Sequence, residues 1–572
     1  MRMAQDIMDI MDMPKMKGTE TKKGYEITPE YFLVIALLSG SQVYAADIEL
    51  DASLSTEGIA QNVKRNNDTD LSLQTITVTP QLSATLQGRK VAANISASHT
   101  YLKRDSDALS QENNYSNYQA KASYSAIERL LNFTAASSLS YRPPNSGSLI
   151  SADFISNSDD LAKVKNNSVG VDIQATEGDI ISTLFNAQYS KVDIEQNENA
   201  TNSGFDSDNI SSSLQLQNGD ETNILFWRGN VNYQNTKRDN ESYGDFESIN
   251  SSLNIDAMLT NWVGLRLSAA SEKYDTSSVT SAFSNTRRFD SYGIGITLKQ
   301  SEVRRLSITW NDSSSSDDND ESDDSQQFLG ADLLWSLSNR TSISAQFSRR
   351  FYGRSANADI SYNSKYLRSS VQYTESVTNT SRLLANSESL GVFVCPVGVF
   401  DIAECQQPDT LEYTPDASES LVQFSENVFE LDDNIILRKA LNGTVGYSFS
   451  KVNVSLNLRS AEDTYIDDDR VRESDSANLT TSYSLSRKTN LEASLKYLKV
   501  KDDLAVTDGS STIQESNTKS ASLTAKHALG QYFDTSLSFS YLKREGNSQI
   551  GSIFGNDYSE TKITVGLTYR YK

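Results

Sequence analysis

Apolar and polar residues alternate one by one over most of this chain. In "NWVGLRLSA", Val263, Leu265, Leu267 and Ala269 fall on one side of an extended strand, with Gly264, Arg266 and Ser268 on the other. "RRLSITW" sets Leu306, Ile308 and Trp310 against Arg305, Ser307 and Thr309. "YFDTSLSFSYL" sets Phe533, Leu537, Phe539 and Tyr541 against Asp534, Ser536, Ser538 and Ser540. The closing "KITVGLTYRYK" keeps the same beat: Ile563, Val565, Leu567, Tyr569 and Tyr571 oppose Thr564, Gly566, Thr568, Arg570 and Lys572. Successive side chains of a strand point to opposite faces, so each stretch has one apolar face and one wet face. Long helical windows with apolar spacings of three and four are absent. The chain has only 8 Pro, which suits hydrogen-bonded strands.

The connections alternate in length. Short, turn-like breaks fall at Gly88–Lys90, Glu177–Asp179, Asn218–Thr222, Thr260–Trp262, Ser338–Thr341, Ser486–Asn490 and Leu529–Gln531. Between them lie longer polar stretches such as "RPPNSGSLISADFISNSDD" and "NDSSSSDDNDESDDSQQ". A soluble sandwich has no reason to sort its loops in this way. The pattern predicts an all-β fold: a single large antiparallel transmembrane β-barrel of about 24 strands, within a range of about 20 to 26. Short turns then face the periplasm with both termini, and long loops face outward. Arg266 and Arg305 would be costly against lipid and are ordinary on a watery lumen.

Composition fits this reading. Hydrophobic residues make up 37%, the net charge is −23 and the mean hydropathy is −0.49, close to the signature of disorder. Against disorder stand 27 Tyr, 20 Phe and the regular beat. A barrel reconciles the two, because its wet interior is as large as its apolar exterior. The acidity speaks against nucleic acid as a partner.

Before the barrel, Lys17, Lys22 and Lys23 precede an apolar run from Tyr31 to Leu38, and Val43-Tyr44-Ala45 has the small-x-small form of a cleavage site. Residues 1–45 are therefore expected to be a signal peptide, with Met16 as the alternative start, and 46–572 the barrel. The run is too short to span a bilayer. No Cys lies near the cleavage site, which argues against a lipid anchor. The final strand is expected to pair with the first, and Leu567, Tyr569 and Tyr571 to form the C-terminal signal read by the barrel-assembly machinery. A final Phe is commoner there than Lys572.

Little else suggests chemistry. His99 and His527 sit apart in strand patterns and read as wall residues. No zinc-protease, nucleophile-elbow or P-loop motif occurs, so no enzyme, metal or cofactor is expected. The acidic runs Ser316–Asp324 and Tyr465–Arg470 (with Asp467 to Asp469) lack a spaced calcium-ligand pattern and read as solvated outer loop tips. Cys395 and Cys405 are the only cysteines, and export favours a disulfide between them. They lie in the longest connection, roughly 379–431. Its "LGVFVCPVGVF" is apolar enough to be expected to fold inward or cap the mouth.

The segments "VFELDDNIILRKALNGTVGYSFSKVNVSLNL" (Val428–Leu458) and "SANLTTSYSLSRKTNLEASLKY" (Ser476–Tyr497) follow the cysteines. In this order they resemble the outer-membrane β-barrel family associated with the PEP-CTERM/exosortase system, over roughly Cys395 to Lys572. Members are encoded with exopolysaccharide biosynthesis genes in Gram-negative bacteria and have no established catalytic residues. The resemblance implies a non-enzymatic outer-membrane barrel tied to exopolysaccharide export or surface assembly. A general diffusion porin or nutrient channel fits the residues equally, and a structural sheath around a periplasmic partner is a third reading. Expected partners are outer-membrane lipid and lipopolysaccharide, the assembly machinery, and exopolysaccharide or its export components.

Overall fold

The structure, a computed structural model, describes residues 47–66, 70–106, 109–176, 178, 180–195, 206–219, 224–239, 245–277, 285–301, 303–317, 320–379, 389–396, 419–425, 435–465, 470–505, 511–547 and 557–571, except 143–160. Side chains at 142, 285, 317, 320–324, 389–396, 419–425, 504–505 and 511–512 fall outside that description. The expected signal segment, Asp467 to Asp469 and Cys405 also lie outside it.

In chain order the strands begin with β1 (Asp47–Arg65), β2 (Leu71–Gln87), β3 (Val91–Asp105), β4 (Glu112–Ile127), β5 (Leu131–Arg142) and β6 (Ala162–Ala175). Next come β7 (Ile181–Glu195), β8 (Asp206–Asn218), β9 (Leu225–Arg238), β10 (Asp245–Met258), β11 (Val263–Ser277), β12 (Asn285–Ser301) and β13 (Arg304–Asp317). Then follow β14 (Asp320–Ser338), β15 (Thr341–Arg350), β16 (Gly353–Asn363), β17 (Leu367–Asn379), β18 (Ser389–Pro396) and β19 (Glu419–Ser425). The last are β20 (Ile435–Phe449), β21 (Val452–Tyr465), β22 (Val471–Ser486), β23 (Thr489–Ala505), β24 (Ser511–Ala528), β25 (Phe533–Gly546) and β26 (Tyr558–Tyr571).

All but β18 and β19 form one 24-stranded antiparallel ring in which each strand pairs with the next along the chain. β17 pairs directly with β20. The ring closes between β1 and β26, where Ala52 lies opposite Tyr571 and Arg65 opposite Tyr558. Closure leaves no unpaired edge. β18 and β19 pair with each other in a separate two-stranded sheet. Every short turn expected from the sequence joins two ring strands, and all lie at the end of the barrel where β1 begins and β26 ends. At the turn 529–532, Gly530 takes a φ of +146°, open to glycine and strained for other residues.

Two connections at the opposite end differ from expectation. The acidic stretch Ser316–Asp324 is mostly strand, since β13 and β14 stay paired from Arg304 opposite Trp335 up to Asp317 opposite Asp320. Ser and Asp keep a backbone ladder there without an apolar beat, because the hairpin continues past the bilayer-facing level. The β15–β16 connection is the two residues Phe351 and Tyr352, where a longer polar loop was expected.

The outer surface is apolar across the middle of the strands. Tyr292, Ile294 and Ile296 of β12, Ile308 and Trp310 of β13, and Ile563, Val565 and Leu567 of β26 are all exposed, Val565 to 58%. A continuous exposed belt of this kind is stable against lipid and not against water. Toward the long-loop end the outward residues become ion pairs: Lys103–Glu112 at 3.0 Å, Lys439–Glu462 at 2.9 Å, Lys499–Glu515 at 3.2 Å and Lys501–Glu473 at 3.4 Å. Exposed pairs contribute little stability. They mark where the outer face leaves the hydrocarbon.

Candidate functional site

Inside the ring the wall turns a tight corner at β12. Its inward positions 293 and 295 are glycines. A Cβ on Gly295 would lie 1.9 Å from the Ile308 carbonyl oxygen, and one on Gly293 would lie 1.8 Å from Asn311 Oδ1. Glycine in a strand interior permits such close approach. The corner brings the inward faces of β9 to β17 toward one another as a side lobe of the lumen.

The lobe is laced by polar side chains. Arg266 Nη2 donates to Asp332 Oδ2 at 2.6 Å, from β11 to β14. Asp256 of β10 accepts from the Thr297 hydroxyl and lies 3.8 Å from Arg266 Nε and 3.7 Å from Arg305 Nη1. Ser268 Oγ donates to Asn311 Oδ1 at 2.9 Å. Toward the long-loop end, Arg350 Nε donates to Glu272 Oε1 at 2.7 Å and its Nη2 to the Tyr274 hydroxyl at 2.6 Å. Arg350 thus ties the short β15–β16 hairpin to the facing strand β11. Buried charges persist when paired and hydrogen-bonded, and most of these are.

A partition separates this lobe from the rest of the lumen near the long-loop end. β16 pairs with β17 only up to Ala358 opposite Tyr373, so Thr374–Asn379 pair with β20 alone. Held to β16 there by the Glu375 N–H donating to Asn357 Oδ1 at 3.1 Å rather than by a backbone ladder, this part of β17 packs over the short hairpin. Both faces of the resulting ribbon are covered. Ile435, Ile436, Leu437 and Arg438 are consecutive and all buried, as are Val377, Thr378 and Asn379. Adjacent strand residues face opposite ways, so four buried in a row require packing on both sides. One side meets the lobe: Val377, Ile435 and Leu437 pack with Phe246 and Tyr274, and Phe351 and Tyr352 join them. Asn379 Nδ2 donates to the Thr236 hydroxyl of β9 at 3.0 Å, and Thr236 donates to Asn209 Oδ1 at 2.8 Å. On the other side, Ile436 packs on Tyr465, and Arg438 makes a two-pronged pair with Asp463 at 2.6 and 2.7 Å.

The larger lobe has its own buried layer toward the same end. Asp502 accepts from Arg470 at 2.7 and 2.5 Å and from Arg472 Nη2 at 2.7 Å. Val63, Leu73, Leu102 and Val192 point inward there and are fully buried. Below this level the inner face is mainly Ser, Thr, Asn and Gln. Two polar cavities lie along the smaller lobe. One, of about 280 Å³, is bordered by Arg228, Arg305, Asp332 and Asp359. The other, of about 250 Å³, runs past Arg266 toward Glu272 and Arg350. They share Asp332, Gln346 and Asn357.

The sequence-derived candidates fare differently. Leu567, Tyr569 and Tyr571 lie on the exposed outer face beside the seam, and Tyr569 packs 5.2 Å, ring to ring, from Phe533. His99 and His527 each bond a neighbouring-strand hydroxyl, Ser116 at 2.8 Å and Thr489 at 2.9 Å, on strands five apart around the ring. Cys395 falls in β18, but its side chain, Cys405 and any bridge between them lie outside the described residues. The lobe and its partition were not anticipated. Two signals for them exist in the sequence: the glycine pair in "SYGIGITL" and the broken alternation of "NIILRKAL".

No family model matches the chain, and no curated protein matches it. Among solved structures, it is similar to the siderophore receptor PirA from Acinetobacter baumannii, with 10% identity, a TM-score of 0.41, and coverage of 91% of this chain and 80% of that one. OccAB4 of Acinetobacter baumannii gives 10% identity and a TM-score of 0.29 over 91% and 98% of the two chains. The outer membrane protein OpdK from Pseudomonas aeruginosa gives 7% identity and 0.30 over 91% and 99%. Likeness at this level assigns neither family nor cargo.

Proposed function

We propose that the chain is an outer-membrane channel for small hydrophilic solutes, with short turns in the periplasm and the long-loop end outside. The observation that carries this reading is the pairing of an apolar outer belt with a polar inner face that is narrowed by the partition. A closed β-barrel with a wet interior passes hydrated molecules, and inward side chains set their size and charge. Among the described residues, His99 and His527 bond strand hydroxyls in the wall, and the buried carboxylates Asp256, Asp463 and Asp502 are tied to guanidinium or hydroxyl groups. The narrowed mouth favours small solutes over a polymer.

The test is reconstitution of the purified barrel in planar bilayers and liposomes. Expected results are stable single-channel steps, and swelling rates that fall steeply between monosaccharide and tetrasaccharide. Absence of conductance from correctly inserted barrels would overturn the channel. Passage of dextran at rates comparable to glucose would favour exopolysaccharide export instead.

A further inference from the structure

Among the described residues, many charged groups in the smaller lobe have partners; Arg228 and Asp359 do not. Arg228 of β9 and Asp359 of β16 both border the cavity of about 280 Å³. Among the described residues neither makes an ion pair or a side-chain hydrogen bond, whereas Asp256, Arg266, Asp332, Glu272 and Arg350 all do. Arg228 is exposed on the lumen side and Asp359 is half-buried, so both charges stay open to a solute entering the cavity rather than being spent on a wall partner.

The strand register shows how they face each other. Arg305 lies opposite Leu334, Leu334 opposite Ser344, Ser344 opposite Asp359, and Asp359 opposite Gln372. Directly paired residues share a face, so these five form one inward row across β13 to β17. A second row, Asp332 opposite Gln346 and Gln346 opposite Asn357, runs beside it. Arg228 reaches this floor from the facing strand β9. The walls therefore offer a free guanidinium on one side, a free carboxylate on the other, and amides between. Arg305 adds a second positive group beside Arg228, while its nearest carboxylate contact is the loose 3.7 Å approach to Asp256.

We propose that this cavity is a binding site for a small zwitterion, whose carboxylate pairs with Arg228 and whose ammonium group pairs with Asp359. A sphere of the cavity's volume is about 8 Å across, below the usual size of drug-like pockets and suited to a molecule of amino-acid or dipeptide size. Guanidinium and carboxylate groups are matched partners, and charge-assisted bonds are the stronger ones. Neutral solutes gain neither bond. A singly charged solute gains one and leaves the opposite wall charge unpaired. The proposal rests on the channel reading for its purpose, but binding is measurable without conduction.

The test uses the full barrel in detergent or nanodiscs, with 5-aminopentanoate and glycylglycine as probes and butyrate and butylamine as singly charged controls, read by calorimetry or saturation-transfer NMR. At least one zwitterion should bind at least about tenfold more tightly than either control. Arg228→Gln should reduce zwitterion affinity about tenfold or more and leave butylamine at least as well bound. Asp359→Asn should do the reverse, sparing butyrate. Heat-modifiability and wild-type strand content by circular dichroism establish that each variant has folded. Arg228→Lys, which keeps the charge, should retain most affinity and serves if Arg228→Gln does not fold. Binding of butyrate as tight as that of both zwitterions, unchanged zwitterion affinity in Asp359→Asn, or no binding of any probe would overturn the site. The last result would leave the two charges as water-solvated wall groups. It would leave the channel reading intact if conductance persists.

Discussion

Asp502 sits between two guanidiniums at the long-loop end, and its replacement by Asn tests how that end is held together. The carboxylate is 4% exposed, and Arg470 and Arg472 are 9% and 2% exposed. It lies beyond the lipid-facing level, since the outward residues beside it, Lys499 and Lys501, are charged and ion-paired. Asp502→Asn keeps the volume, removes the negative charge and turns an acceptor oxygen into a donor aimed at other donors. Breaking a buried pair by removing one partner typically costs about 3–5 kcal/mol, because the remaining charge stays desolvated. Fraying β22 and β23 locally would relieve part of that cost. Backbone amides near Val471–Ser474 should therefore exchange with deuterium at least about tenfold faster, while those in the belt of the same strands stay unchanged. Replacing Arg470 by Met and both Arg472 and Asp502 by Leu should restore protection close to wild type, because the penalty comes from unpaired charge. Burial pushes the Asp502 carboxyl up, but hydrogen bonds and charge from Arg470 and Arg472 outweigh it and hold the group below the usual carboxylate range. A depressed carboxyl pKa contributes stability that is complete above its unfolded value of about 3.9 and is lost as pH falls through the folded value. Protection should thus be constant from about pH 7 to 5 and collapse only below about 4. Wild-type exchange in Asp502→Asn, or loss of protection already at pH 6, would refute the argument.

The remaining predictions concern topology and the wall. An epitope tag inserted after Asp317 should be labelled on intact cells and one at Arg340 only after permeabilisation; labelling of Arg340 alone would invert the barrel. Val565→Arg places a cation on the exposed belt and should cost about 2–4 kcal/mol in folding into phospholipid vesicles, measured by urea titration. Thr564→Arg, one residue away on the lumen face, should cost far less. Gly295→Val drives a side chain into the Ile308 carbonyl and should destabilise by about 1–3 kcal/mol or more in the same titration. The equivalent change at Gly229, where a Cβ meets nothing closer than 3.8 Å, should be milder.

The ring was largely legible in the sequence, for a physical reason. A bilayer imposes one apolar face on every strand over the same height, so a period-two pattern repeats through the whole chain. Turn lengths sort by side, short at one end and longer at the other, as in membrane barrels generally. The beat fails where lipid no longer imposes it. Ser313–Asp317 carries no apolar residue and still pairs with β14, so it reads as loop while being strand. Phe351-Tyr352 fails in another way. A longer polar loop is the expectation at this end, yet two aromatic residues form the turn of a hairpin that ends inside protein packing rather than in water.

The smaller lobe was not legible, because its chemistry depends on which faces meet across the lumen. Alternation assigns Arg266 and Arg305 to the wet face, but it says nothing of where the wall bends. The bend follows from Gly293 and Gly295, whose missing Cβ atoms let β11 and β13 approach. With that corner in place, register alone sets Arg305 and Asp359 in one row and brings Arg266 to Asp332. The partition has a similar origin. "NIILRKAL" puts Ile435, Ile436 and Leu437 side by side, which a lipid-facing strand has no use for. Three adjacent apolar residues need apolar neighbours on both faces, and in a barrel the only place offering two covered faces is the lumen itself. An uninterrupted apolar run at the start of a barrel strand therefore marks a strand that crosses the mouth. The same corner gathers the lobe's charges: Asp256, Arg266 and Asp332 approach one another, while Arg228 and Asp359 border the cavity without such a partner.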